Sequence, residues 1–437
     1  MEGIFQPFPD SAMSSCTRSR ASSLDLDLIL GVTRGLLERL AREGRSAGLS
    51  LYLAGGVVRD LLLQKPVQDL DLVVEGNAIR FARSLEKKHG GKATTHPRFG
   101  TATWQLPLDW TGHGMTQNSL DFASSRRERY EFPGALPTVE FSDIREDLKR
   151  RDFTINAMAY RLEEGSPGEL LDPFGGRDDL QKRLVRVLHS RSFLDDPTRM
   201  LRAIRYARRY GFEIAPSTLR LFGGRAPQVF STLSGERLRH ELDLMLDEPK
   251  AAAMLQDAAA LHLLERIQPG LRAPGDRFGL LLDSTPDPQL EIEPDRRTLG
   301  YLLWLPDVAA GELGRIQERL AFSAGLGKYL SGAAELLADL SGLHGARPSQ
   351  WTARLDQTPP FAIYAMYLQT GEPALASYLI RWRRIRPQTN GNDLLRLKVA
   401  SGPAFKKILW RLRSAWLDDE ISTHEEEIML LNSLLEG

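Results

Sequence analysis

The spacing of apolar residues changes once along this chain of 437 residues, and that change limits the folds available to it. Up to about residue 160, short strand candidates, such as the apolar run 49–53 and the alternating, β-branched run 101–106, are interspersed with segments of helical periodicity. After about Asp178, apolar residues recur almost only at helical spacing, for example over Gly235–Leu246 and 316–340. We therefore expect a mixed α/β head followed by a long all-helical region.

The composition excludes several classes of protein. Hydrophobic residues make up 42% and charged residues 26% of the chain, which is ordinary globular usage and excludes wholesale disorder. The single cysteine, Cys16, excludes an internal disulfide framework and a zinc site built on thiolates, and it favours a reducing cytoplasm. We find no apolar run of about 18 residues that would predict a membrane span, and we expect the Ser-rich residues 1–24 to be a flexible leader.

A double glycine directly follows the first predicted strand, in Gly55-Gly56-Val57-Val58-Arg59-Asp60. Glycine lets a backbone approach a phosphate closely, and a following helix would add N–H groups and partial positive charge. One turn into that helix, Arg59 is a candidate to contact a triphosphate. The structural alternative is a Gly-rich turn without a ligand.

Two acids follow in Asp69-Leu70-Asp71. The strand period of two would place both carboxylates on one face, where they repel each other unless a cation lies between them. Mg²⁺ prefers such oxygen ligands together with substrate phosphates, and two such ions could activate an attacking hydroxyl and stabilise a leaving pyrophosphate. Two acids alone are more typical of a solvated strand end. The double glycine upstream is what favours a magnesium site.

A second motif spans residues 146–157 and contains Arg151, Asp152 and Asn156. Its arginines offer several donors that could grip a ribose hydroxyl and a phosphate, with Asp152 orienting an arginine. The alternative is a surface helix start held by salt bridges.

A third motif spans residues 195–205. Asp196 precedes a proline, which predicts a capped helix, and Arg199, Arg202 and Arg205 follow on one helix face. Aspartate and arginine together offer the acceptors and donors that the Watson–Crick edge of a nucleobase needs. The alternative is a capped helix with a solvated basic face.

The motifs occur in the order LAGGVVRDLLL, QDLDLVV, EDLKRRDFTINAMAY, LLDPFGGRDDLQKRLVRVL, FLDDPTRMLRAIRYARRYGF and GERLRHEL. In this order the chain resembles the class II tRNA nucleotidyltransferases and bacterial poly(A) polymerases over roughly residues 50–245. The resemblance implies a polymerase-β-like α/β nucleotidyltransferase head in residues 25–176, an all-α neck with a nucleobase-template motif in 177–246, and a helical body and tail that binds tRNA in 247–437.

The resemblance also implies roles for individual residues. Asp69 and Asp71 would hold the catalytic magnesium ions, and Asp121 is a candidate third acid whose alternative is a solvated strand residue. The nucleotide-binding residues implied by the double glycine and by the resemblance are Gly55, Gly56, Arg59, Arg151, Asp152, Asn156, Asp196, Arg199, Arg202 and Arg205. Among these, Asp196 and Arg199 would act as the amino-acid template for cytosine or adenine.

The implied activity is template-independent addition of CMP and AMP to the tRNA 3′ end to build or repair CCA, with CTP and ATP as substrates and pyrophosphate released. Addition of A alone is the first alternative, because 69–77 and 98–102 look similar to members that add only A. The stretch 126–140 fills the place of the family's flexible loop, which disfavours addition of CC alone. Poly(A) synthesis and a noncatalytic RNA-binding module are further alternatives, and the acid pair argues against the module.

The chain is neutral overall, with 57 basic and 57 acidic residues, so a basic RNA-binding surface must be local. Residues 177–212 carry ten Lys and Arg against four acids, and residues 381–413 carry ten against one acid. Trp382, Phe405 and Trp410 lie within the second stretch. The tail could therefore grip a tRNA. The alternative is a solvated helix face with tryptophans in the core.

Overall fold

The computed structural model describes residues 24–29, 34–67, 70–110, 118–165, 168–293, 295–399 and 402–436. The chain divides into two compact units, Met1–Leu233 and Ser234–Gly437. The first has mixed α/β structure and the second is helical, which confirms the predicted fold class. The predicted domain boundaries remain predictions, and Cys16 with nearly all of the predicted leader lies outside the described residues.

The first unit contains all eleven strands that the described residues form. They are β1 Ser50–Ala54, β2 Asp71–Glu75, β3 Lys92–His96, β4 Thr101–Gln105, β5 Ser119–Ser124, β6 Arg126–Arg129, β7 Thr138–Phe141, β8 Ala159–Arg161, β9 Leu170–Leu171, β10 Leu184–Val185 and β11 Glu213–Ile214. Seven of them build one sheet in the order β3-β4-β5-β2-β1-β8-β9. Within that sheet β2 and β5 run parallel, and every other neighbouring pair is antiparallel.

The helices of the first unit cover the sheet and continue beyond it. They are α1 Arg34–Ser46, α2 Gly56–Leu62, α3 Ala78–His89, α4 Ile144–Lys149, α5 Gly176–Gln181, α6 Ser192–Asp195, α7 Thr198–Tyr210 and α8 Pro216–Leu219. Short 3₁₀ helices lie at Leu26–Leu28, Pro97–Phe99, Leu108–Trp110, Thr154–Asn156, Arg220–Gly223 and Ala226–Thr232. The helix α3 has the ends that its sequence predicts. The side chain of Asn77 caps its start, and Gly90 ends it with a φ of +82°.

The side chains of the central strands alternate between two faces, as the period of a strand requires. On one face, Phe122 of β5 meets Phe81 of α3 edge to face, with ring centroids 5.4 Å apart. On the other face, Tyr52 and Val73 pack with Ile144 of α4. Both faces of the sheet centre are therefore buried.

The predicted helix over 25–45 begins later than expected. Leu26–Leu28 form a 3₁₀ turn, and Ile29 is 3% exposed and forms a parallel bridge with Val67. Extended backbone at Ile29 replaces helix because pairing with Val67 buries that side chain. The α-helix starts at Arg34.

The second unit consists of helices connected by short segments. They are α9 Gly235–Leu246, α10 Ala251–Ala260, α11 Leu263–Ile267, α12 Phe278–Leu282, α13 Arg296–Trp304, α14 Ala310–Arg319, α15 Ala324–Leu343, α16 Pro348–Leu355, α17 Pro360–Thr370, α18 Pro373–Ile380, α19 Gly391–Arg396, α20 Pro403–Leu417 and α21 His424–Glu436, with 3₁₀ helices at Pro288–Leu290 and Trp382–Arg384. None of the described helices is long and apolar enough to cross a membrane.

The prediction of one helix over 316–340 is wrong, because the chain turns between α14 and α15. Ala321 has a φ of +50°, which no α-helix accommodates. The side chain of Ser323 then accepts a hydrogen bond from the backbone of Leu326 at 3.3 Å and caps the new helix.

Phe122 provides a test of this packing, with Phe132 as a matched control. Phe122 is 1% exposed and Phe132 is 60% exposed. We expect Phe122→Ala to lower the free energy of unfolding by about 3–5 kcal/mol, because it removes a fully packed ring. Phe132→Ala should change it by less than about 0.5 kcal/mol. Urea unfolding followed by tryptophan fluorescence measures both, and equal losses would contradict the assigned packing.

Candidate active site

Two acidic residues lie side by side where β2 and β5 pair in parallel. Asp71 and Asp121 are direct Cα partners, and both are exposed on the same face of the sheet. The hydroxyl of Thr103, on the next strand, donates to Asp121 at 2.5 Å. Two exposed carboxylates in register are the hard oxygen donors that a divalent cation prefers.

Asp69, the other predicted metal ligand, lies outside the described residues. Among the residues that the structure does describe, no three His, Cys, Asp or Glu side chains come together as a metal-binding group. The described part of the chain therefore supplies Asp71 and Asp121 to this site.

The double glycine forms the turn between β1 and α2. Gly55 has a φ of +77°, and its N–H donates to the carbonyl of Met158 at 3.0 Å. A Cβ atom added to Gly55 would lie 2.1 Å from Nη1 of Arg151. Only glycine allows this guanidinium to lie against the turn. Gly56 is the first residue of α2, and Arg59 follows one turn later.

The guanidinium of Arg59 is buried and bonded within the protein. It donates from Nε and Nη2 to the carboxylate of Asp60 at 2.9 and 2.8 Å, and from Nη1 to Oδ1 of Asn156 at 2.6 Å. It also lies over the ring of Tyr210, 4.6 Å from the ring centroid. This geometry supports Arg59 as a residue that positions Asn156.

Asp152 continues the same chain of contacts toward α7. Its carboxylate accepts from Nδ2 of Asn156 at 2.9 Å and from Arg202 at 2.9 and 2.6 Å. Burial alone would raise the pKa of the Asp152 carboxyl, but the charge of Arg202 and the hydrogen bond from Asn156 outweigh burial and hold that pKa at about 2. A continuous polar network therefore joins α2, the 3₁₀ turn at Thr154–Asn156 and α7.

Arg151 is held beside this network by an acid that the sequence analysis did not assign. Asp147 is fully buried and accepts from Nη2 of Arg151 at 3.2 Å, from the side chain of Arg150 at 3.0 Å and from the backbone of Arg126 at 3.2 Å. The Nε of Arg151 is buried without a hydrogen-bond partner among the described residues. A buried donor of this kind is a candidate to bind a ligand oxygen.

The third motif forms the start of α7, which begins at Thr198 after Pro197, one residue later than the predicted start. Oδ1 of Asp196 accepts from the backbone and hydroxyl of Thr198 at 3.1 and 2.7 Å. Arg199 donates from Nη1 to Ser192 at 2.8 Å and from Nη2 to the carbonyl of Arg150 at 2.9 Å.

The predicted alternative of a solvated basic face on α7 is wrong. Arg199 and Arg205 are each 5% exposed, and Arg202 pairs with Asp152. The guanidinium of Arg205 lies 5.1 Å from the ring centroid of Tyr206. These arginines point into the protein because an acid, a carbonyl and an aromatic ring there compensate their charge.

The stretch 126–140 forms a hairpin of β6 and β7 that contacts the second motif. Tyr130 donates to Glu128 at 2.9 Å, and Glu128 in turn pairs with Arg150 at 3.0 Å. Burial and then Glu128 raise the pKa of Tyr130, while the charge of Arg199 opposes the rise. The Tyr130 hydroxyl therefore lies within electrostatic reach of Arg199. The sequence carries no local signal for the pairing of Glu128 with Arg150.

Two family models match the chain. The model described as the Poly A polymerase head domain matches residues 51–186. The model described as the probable RNA and SrmB-binding site of polymerase A matches residues 211–273. The first match contains the double glycine, both described acids and the second motif.

Relatives extend the likeness along almost the whole chain. An A-adding tRNA nucleotidyltransferase of Halalkalibacterium halodurans is 33% identical over 86% of each chain. A CC-adding tRNA nucleotidyltransferase of Deinococcus radiodurans is 32% identical over 92% of this chain and 94% of its own. The solved structure of the Thermotoga maritima CCA-adding enzyme complexed with tRNA-CCA is similar with a TM-score of 0.73 and 28% identity, over 95% of this chain and 98% of that chain.

The low pKa of Asp152 predicts a pH-dependent role for its partner. The ordinary pKa is 3.8, so the depressed value contributes about 2 kcal/mol of stability above pH about 4, which is lost as the pH falls toward 2. We expect Arg202→Met to lower the free energy of unfolding by about 2–4 kcal/mol at pH 7 and by much less at pH 2. Urea unfolding across this range measures the difference.

Arg191 is the matched control, because its side chain is 75% exposed and its Nε lies 3.9 Å from Asp195. Arg191→Met should change stability by less than about 0.5 kcal/mol at every pH. A loss in Arg202→Met that does not vary with pH would contradict the proposed charge pairing.

Proposed function

This chain belongs to the family of tRNA nucleotidyltransferases and bacterial poly(A) polymerases, and from that premise we propose that it completes the CCA end of tRNA. The substrates would be a tRNA 3′ end with ATP, with CTP added where the end lacks cytosines. The observation that carries this proposal is the buried network from Asp60 through Arg59, Asn156 and Asp152 to Arg202, because it unites three nucleotide-binding motifs in one unit.

The proposed reaction is a phosphoryl transfer. The 3′-hydroxyl oxygen of the RNA forms a bond to the α-phosphorus of the nucleotide, the bond between that phosphorus and the bridging oxygen breaks, and pyrophosphate leaves with the electron pair. The hydroxyl proton passes to solvent or to a nearby base. Such reactions depend on positioning and on neutralising the charge of the phosphates.

Asp71 and Asp121 would hold a divalent ion, which we propose to be Mg²⁺, beside the reacting groups. When bound, the ion would neutralise charge on the transferred phosphate and lower the pKa of the attacking hydroxyl. Arg151, whose Nη1 lies at the Gly55 turn, would bind a phosphate oxygen through its guanidinium. Asp152 and Asn156 would orient the ribose.

We propose that residues at the start of α7 select the base. There Asp196 offers acceptors and Arg199 offers donors to the edge of the nucleobase. Ser192 and the carbonyl of Arg150 fix the guanidinium of Arg199 in one orientation. A fixed guanidinium discriminates between the edges of two bases better than a mobile one, because little entropy is lost on binding.

Addition of the terminal A alone is the second candidate. The relative of Halalkalibacterium halodurans, which is named A-adding, supports it. Enzymes that add only CC tend to lack a working flexible loop, and in this chain the hairpin β6–β7 fills the place of that loop. The hairpin therefore supports an activity that includes addition of A, whether the enzyme adds the whole CCA end or only the terminal A.

The tail is proposed to bind tRNA through α20. Lys406, Lys407 and Trp410 are all exposed on this helix, within one turn of each other. This exposure argues against a core role for Trp410. Arg413 is not part of this proposed tRNA-binding surface, because its side chain is buried and pairs with Asp356.

The first experiment offers three transcripts of one tRNA, which lack CCA, end in C or end in CC, each with Mg²⁺ and with CTP, ATP or both. Completion of all three to CCA is expected of the full activity. Extension of the CC-ending transcript alone, by one A, would establish the A-adding activity. Long A tails, or no incorporation into any transcript, would contradict the proposal.

Asp71→Asn tests the proposed ion site, with Asp109→Asn as a matched exposed control. Loss of an ion ligand removes several kcal/mol of transition-state stabilisation, so incorporation should fall roughly a thousand-fold or more while tRNA binding is retained. Asp109→Asn should extend primers at the wild-type rate. Wild-type turnover by Asp71→Asn would refute the role of Asp71.

A further inference from the structure

The outer half of the sheet carries an open polar face next to the two acids. Cross-strand partners share a face, and the pairs are Lys92 with Gln105, Thr94 with Thr103, and His96 with Thr101. Thr103 also pairs with Asp121, so this face is continuous with the acid pair. All three β3 residues are exposed, which shows that no described element covers this edge.

Two exposed aromatic rings lie beyond the end of this face, at the turn between β3 and β4. Phe99 is 54% exposed in the turn between β3 and β4, and Phe141 is 60% exposed at the end of β7. A Cβ added to Gly100 would lie 3.2 Å from the Phe141 ring, so that ring packs beside the residue after Phe99. Arg126 donates from Nη1 to the Phe99 carbonyl at 2.9 Å and fixes the turn to the hairpin.

Positive charge flanks this surface. Lys92 and Arg98 are exposed and form no ion pair with any residue in the described ranges, and the Arg98 guanidinium lies 5.7 Å from the Phe99 ring centroid. By contrast, Arg127 of β6 is neutralised by Glu140 at 2.5 Å. Exposed aromatic rings beside unpaired cations are the features that hold single-stranded nucleic acid, since rings stack on bases and cations bind phosphates.

We propose that this surface holds the unpaired 3′ end of the RNA, with bases stacked on Phe99 and Phe141 and phosphates at Lys92 and Arg98. This inference rests on the proposed function and assigns the primer a path to the acids. Phe99 lies two residues before Thr101, and Thr103 pairs with Asp121, so Phe99 is at most about 13 Å along the strands from Asp121. A few unpaired nucleotides cover that distance.

The alternative occupant, an incoming nucleotide, fits the surface less well. The nucleotide-binding motifs lie at the Gly55 turn and along α7, and the second motif forms the 3₁₀ turn at Thr154–Asn156. None of these belongs to β3, β4 or the turn between them. The open face is therefore assigned to the other substrate.

The test compares Phe99→Ala and Phe141→Ala with the control variant Leu108→Ala. Leu108 is 91% exposed and lies outside the proposed surface. A stem-loop RNA with an unpaired end in CC is the primer. We expect the KM for RNA to rise about ten-fold in each phenylalanine variant, with unchanged KM for ATP and unchanged kcat. Phe99→Tyr should restore the wild-type KM, and Leu108→Ala should not alter it.

A second measurement separates this inference from the proposed function. Fluorescence anisotropy of a labelled, unpaired RNA of the same 3′ sequence reports binding without turnover, and Phe99→Ala should weaken it about ten-fold. Failure of the wild type to extend any primer would refute the proposed function but leave this binding test intact. Unchanged RNA affinity in both variants, or a rise in the KM for ATP equal to that for RNA, would overturn the inferred path.

Discussion

The architecture of the site depends on a carboxylate that water hardly reaches. Burying the charge of Asp152 would cost several kcal/mol without partners, so the fold must supply Arg202 and Asn156 at hydrogen-bond distance. These partners come from separate elements, and Asn156 is itself fixed by Arg59. A shift of α7 against the turn at Thr154–Asn156 would expose or orphan a charge. The double-glycine motif and the second and third motifs are therefore locked to one another by electrostatics rather than by apolar packing alone.

Local patterns predicted the elements whose ends are encoded by neighbouring residues. The helix α3 begins after Asn77 and ends at Gly90, and α9 has the predicted bounds. Prediction failed where tertiary contacts overrode periodicity, as at Ile29, which is extended because it pairs with Val67. The strands β10 and β11 have two residues each and pair with each other, although α6 and α7 lie between them in the sequence. Their own sequences are too short to show the alternation that predicts a strand.

For the candidate site, the sequence indicated which residues to consider but not the directions of their side chains. Contact of Arg59 with a triphosphate stays a prediction, and the spacing gave no sign that its guanidinium donates to Asn156, 97 residues further along the chain. The basic spacing on α7 also suggested a solvated face, although Arg199 and Arg205 are buried. The sequence analysis assigned no role to Asp147, because its partner Arg126 is distant in the sequence and only the fold brings the two together. The spacing of a motif indicates which of its residues lie on one helix or strand. The hydrogen-bond and ion-pair partners of their side chains depend on contacts between different elements.

The single parallel pairing in the sheet has a consequence for how the chain folds during synthesis. A parallel neighbour cannot be reached by a tight turn, so β2 pairs with β5 only after α3, β3 and β4 have been made. Until residues 119–124 leave the ribosome, one edge of β2 presents unpaired backbone groups beside Asp71. That transient edge is a template for misassembly, and the charge at its first residue helps to keep other strands away. The acid proposed to hold the ion would thus also protect the nascent sheet.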